Sequence, residues 1–118
     1  MHKQTALREE AQAALDQFWF IQSIEEIERT DSTVALRLYI RDNLFVHVFL
    51  GELTGSLYFA LIENDRRIYG IDYEARRWHQ HPFVAPDRHE FLSEGLGVKP
   101  LLTFLARVED LLLAEDLL

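Results

Sequence analysis

Residues 34–50 read VALRLYIRDNLFVHVFL, and the fold class is decided there. Val34, Leu36, Leu38 and Ile40 alternate with Ala35, Arg37, Tyr39 and Arg41. Successive side chains of a strand point to opposite faces, so 34–41 is a strand with one core face and one wetter face. Asp42-Asn43 turns the chain. The next run, 44–50, is apolar at both parities except for His47, as expected of a central strand covered on both sides. The face His47 occupies depends on how the hairpin closes. A two-residue turn pairs Arg41 with Leu44 and Leu38 with His47, which puts the imidazole among the core residues; a one-residue shift moves it beside Arg37 and Tyr39. The core position is the expectation.

Working outward, Leu7, Ala11, Ala14, Leu15 and Phe18 recur at three- and four-residue steps, which predicts a helix over 5–17 with Thr5 as its cap. The helical stripe is lost beyond Trp19. A strand over 20–29 follows, and the opposite parity of Ile24 and Ile27 suggests a bulge at Glu25 or Glu26. On the other side, a turn over 51–55 leads to strands over 56–62 and 67–73, separated by Glu63-Asn64-Asp65-Arg66. Gly95 and Gly97 break the chain. Pro100 suits a first helical turn, and Leu101, Leu105, Val108 and Leu112 repeat at helical spacing over 100–116. Turns this short force antiparallel pairing. The predicted fold is α+β, a five-stranded antiparallel meander sheet with an N-terminal and a C-terminal helix, in a single domain over 1–118. Two helices cannot cover both faces of such a sheet. Either a homodimer covers the second face, or the segment 78–91 folds back over it.

Length and composition are those of one compact globular unit: 118 residues, 48% apolar, five Gly and three Pro. Cysteine is absent, which excludes disulfides and thiolate ligands. Residues 1–16 carry Glu9 and Glu10 without an apolar core and do not read as a signal peptide. No apolar run approaches the roughly 20 residues that span a bilayer, so no membrane association is expected and the expected location is cytoplasmic. The net charge of -8 disfavours extensive phosphate contacts. The charge is unevenly spread, however. Residues 64–90 hold five Arg against five acids and are formally neutral, so the rest of the chain carries the whole -8.

The chemistry-bearing residues gather in 69–91, where Asp72, Arg76, Arg77, Trp78, His79, His81 and His89 accompany Pro82 and Pro86. His79 and His81 project to the same side if that stretch is extended. With His89 and Asp72 they would supply nitrogen and oxygen ligands that zinc accepts, although the eight-residue step to His89 has no motif behind it. Paired imidazoles also serve general acid and base catalysis near neutral pH. RNA cleavage needs such a pair and a cation for the phosphate. On that reading the chain is a metal-independent ribonuclease. His81 and His89 form the acid/base pair, His79 orients, Asp72 fixes a tautomer and Arg76 holds phosphate, while Arg77, Trp78 and Tyr69 bind substrate. No cofactor is indicated by any motif. No Gly-rich phosphate loop or nucleophile elbow is present, and the two lysines, Lys3 and Lys99, lie outside the segment.

The run Arg67-Ile68-Tyr69-Gly70-Ile71-Asp72, followed by Trp78-His79-Gln80-His81-Pro82-Phe83 and His89, resembles small bacterial proteins of the TumE-like toxin family. The resemblance covers about 34–112. It implies a toxin of a type II toxin-antitoxin pair, neutralised by a helix-turn-helix antitoxin, with nucleic acid as target. Asp72, His79, His81 and His89 are the positions it reaches. The other expectation is a non-enzymatic homodimeric interaction module, with the His-rich segment as a lid.

Overall fold

The computed structural model describes residues 2–118. Helix α1 (Gln4–Gln17) is followed by seven strands, β1 (Ser23–Arg29), β2 (Thr33–Arg41), β3 (Leu44–Gly51), β4 (Ser56–Glu63), β5 (Arg66–Glu74), β6 (Arg77–His81) and β7 (Glu90–Leu92), and then by helix α2 (Pro100–Ala114). The strands form one antiparallel sheet in the order β1 to β7. The α+β class and the meander are as expected from sequence. The strand number is not: the His-rich segment contributes β6 and β7, so the sheet has seven strands rather than five. That segment therefore extends the sheet, and only the loop between β6 and β7 turns back over the second face, beside β5 and β6.

Both helices pack on one face. There Leu38, Val46, Val48, Leu50, Leu57, Phe59, Leu61 and Ile71 meet Leu7, Ala11 and Ala14 of α1 and Leu101, Phe104, Leu105 and Val108 of α2, all buried. Glu10 of α1 is buried with them. Its Oε1 accepts hydrogen bonds from Leu101 N at 2.9 Å and Leu102 N at 3.2 Å. Lys99, which precedes α2, gives no side-chain cap, so Glu10 satisfies from across the core two amides that the helix itself leaves unpaired. Lys3, not Thr5, precedes the first turn of α1, and again without a side-chain cap.

Three bulges set which residues share a face. The first falls between Glu26 and Glu28, at Ile27 and so later than expected. The second lies between Tyr39 and Arg41. The turn at Asp42-Asn43 has two residues, with Arg41 opposite Leu44, but the extra residue at Ile40 shifts everything beyond it, so His47 lies opposite Arg37. His47 is thus on the face away from the helices, not in the core. The third bulge, at Ile68, lies between the pairs Leu61–Tyr69 and Ile62–Arg67.

Two hairpins close through residues with positive φ, Asn64 (50°) with Asp65 (65°) and Ala75 (52°) with Arg76 (63°). This pattern is the two-residue turn whose twist matches antiparallel strands. It fixes the register of β5 against its neighbours. Among the described residues, no helix is long and apolar enough to cross a membrane.

Candidate functional site

The β5–β6 hairpin builds the site. Its register sets Asp72 opposite His79 and Gly70 opposite His81, so the acid and both imidazoles lie on the face no helix covers. His89 arrives from the other direction. After β6, two successive turns, Ala85 N to Pro82 O at 3.1 Å and Arg88 N to Ala85 O at 2.9 Å, bring the chain back. The His89 ring then stands edge-on to His79 with centroids 4.1 Å apart and nearly parallel to His81 at 5.1 Å. Phe91, opposite His79 on β7, closes the outer side, with its ring centroid 5.0 Å from that of His79.

Asp72 Oδ2 lies 3.2 Å from His81 Nε2. One donor atom each from Asp72, His81 and His89 lie within 4.8 Å of one another. Burial is graded across the cluster: His79 and His81 are 8% and 9% exposed, Asp72 is half-buried and His89 is exposed. Both ring nitrogens of His79 and Nδ1 of His81 are buried without a hydrogen-bond partner among the described residues. An unpaired dry nitrogen costs about 1–3 kcal/mol, and each of these three atoms lacks a partner. Burial, with the neighbouring His89, lowers the His79 pKa and keeps that ring neutral. Burial raises the Asp72 pKa, and His81, Arg67 and His89 oppose the rise.

The remaining expected site residues do not join the cluster. Tyr69 faces the helices, stacked on Phe104 with centroids 5.5 Å apart, and cannot stack on an incoming base. Trp78 is on the same helix-covered face, 5.0 Å from Tyr73, and the backbone of Gly95 lies against its indole. Arg76 sits in the hairpin turn at the far end of β6 from His81, in a separate cleft with His2, Glu52 and Tyr73. Arg77 shares the cluster's face, but its guanidinium lies over Phe91 at 5.2 Å. The cation beside the cluster is Arg67, which sequence reasoning did not single out. Regular alternation from Gly70 and Asp72 would send it to the helix face; the bulge at Ile68 turns it round, opposite Ile62.

Comparison with protein-family models, with curated proteins and with solved structures finds no match to this chain.

Proposed function

We propose that the protein binds a divalent transition metal through Asp72, His81 and His89 and uses the solvent-facing coordination position for hydrolytic chemistry. The observation that carries this reading is the approach of the three donor atoms to within 4.8 Å of one another. Ligand atoms about 2.0–2.1 Å from a tetrahedral zinc ion stand roughly 3.3 Å apart, so a modest rotation of the exposed His89 ring closes the set. Two imidazoles and a carboxylate suit zinc and its first-row neighbours. Three protein ligands with one open position are the arrangement of catalytic zinc sites, and water bound there loses a proton near neutral pH. Zinc titration of the purified protein should give one equivalent per chain. His81→Ala and His89→Ala should each weaken binding by at least about a hundredfold with the circular dichroism spectrum unchanged. Wild-type protein that takes up no stoichiometric metal rules the proposal out.

A second reading has its own supporting observation, the Asp72–His81 hydrogen bond. In it the chain is a toxin-like protein, paired with a helix-turn-helix antitoxin, that cleaves RNA by proton transfer without a metal. Asp72 fixes the His81 tautomer, and His81 and His89 serve as base and acid. The two rings, 5.1 Å apart and nearly parallel, must then part to admit a phosphate. Growth arrest on expression, with RNA cleavage that persists in chelator and vanishes in His81→Ala, supports this reading. A fully toxic His81→Ala variant sinks it.

A further inference from the structure

The geometry points to an oxyanion of the phosphate type as the ligand of the open coordination position, held between the metal and the guanidinium of Arg67. This inference rests on the metal reading of the Asp72, His81 and His89 cluster. Its own support is the way the sheet delivers Arg67. The bulge at Ile68 puts Arg67 on the cluster's face. Gly70, opposite His81, then leaves the space its stem needs: a Cβ at Gly70 would stand 3.3 Å from Arg67 Cδ and 3.0 Å from Phe59 O. Arg67 Nη2 donates to Pro86 O at 3.3 Å, on the loop that carries His89. One arginine thus links the floor of the sheet to the loop that carries His89.

Charge decides the class of ligand. Among the described residues, no carboxylate oxygen lies within 4.0 Å of Arg67, so no ion pair neutralises its charge. No ion pair joins Arg67 to Asp72, whose partner is His81. A divalent ion, one carboxylate and one arginine leave the site with a surplus of two positive charges. A planar guanidinium beside a Lewis acid matches a tetrahedral oxyanion, which can give one oxygen to the metal and others to N–H donors. An uncharged substrate would leave this surplus unmatched.

Calorimetric titration of the zinc-loaded protein with inorganic phosphate tests the assignment, with a ribodinucleotide phosphodiester as a second arm to separate a free phosphate from a nucleic-acid source. The expected result is phosphate binding that Arg67→Met weakens about tenfold or more, with Arg67→Lys in between. The zinc affinity of Arg67→Met should stay within about threefold of wild type, a readout that a purely structural strap to Pro86 would move. Zinc taken up without phosphate or phosphodiester binding overturns this inference alone, and so does equal binding by Arg67→Met. Absence of zinc uptake overturns it together with the metal reading.

Discussion

Glu10 shows how much one side chain carries between elements. Its carboxylate joins α1 to the first turn of α2 through two backbone amides, yet burial raises its pKa above the ordinary glutamate value despite those bonds and Lys99. A carboxyl group with a raised folded pKa is favourable in its neutral form. Its contribution is fully present below the unfolded value and is lost as pH rises through the folded one. Urea denaturation across pH should therefore show Glu10→Gln gaining on wild type as pH rises above about 4.5. The amide keeps an acceptor for Leu101 and Leu102 without the buried charge. Parallel stability curves for the two proteins would defeat this account. Glu10→Ala leaves both amides unpaired and should cost about 1–2 kcal/mol below about pH 4.5, a loss that shrinks as pH rises through the folded pKa of Glu10. Residue parity was also informative at the site. Tyr69 and Asp72 are three apart, which in a regular strand means opposite faces, and this alone separates Tyr69 from the cluster it was expected to join.

Among the elements, those with a long run of one period were legible. The alternation over 34–41 and the three- and four-residue steps of both helices gave β2, α1 and α2 to within a few residues. β6 and β7 were not legible, because they have five and three residues and adjoin a stretch with two prolines. Nor were the bulges at Ile40 and Ile68, since an extra residue is fixed by the partner strand rather than by local composition. That is why regular alternation puts His47 on the wrong face and hides Arg67, while Asp72, His79, His81 and His89 group by sequence proximity alone. The segment joining β7 to α2 offers a test at this scale. A Cβ at Gly95 would stand 2.2 Å from Trp78 Nε1 and 2.5 Å from Cδ1, so Gly95→Ala forces the indole or the loop to move. The expected loss is about 1–3 kcal/mol, with a shifted tryptophan emission spectrum. Unchanged emission and stability would mean that the loop can lift off Trp78 freely.

Across the whole molecule, the unequal treatment of the two sheet faces is the dominant fact. Both helices lie on one face, while the other carries Tyr39, Phe45, Phe49, Tyr58 and Ile62 with no element over them. Edge pairing is a poor route to association, because β1 is bulged and carries Glu25, Glu26 and Glu28, and β7 is only three residues long. A second copy laid on the open face is the better fit. Leaving out β6 and β7, which carry the site, five strands about 4.8 Å apart and five residues at about 3.3 Å give on the order of 400 Å² per copy, and two copies bury on the order of 800 Å². That is the size of a weak interface, so the expected dimer is concentration-dependent. Sedimentation equilibrium should therefore show a monomer–dimer balance that Phe49→Glu moves to monomer with the fold intact. A wild-type chain that stays monomeric at every concentration would leave this aromatic face to a different protein. The site at Asp72, His81 and His89 lies toward one end of the same face, and a dimer that buries Phe49 and Tyr58 at its centre can leave His89 open to solvent.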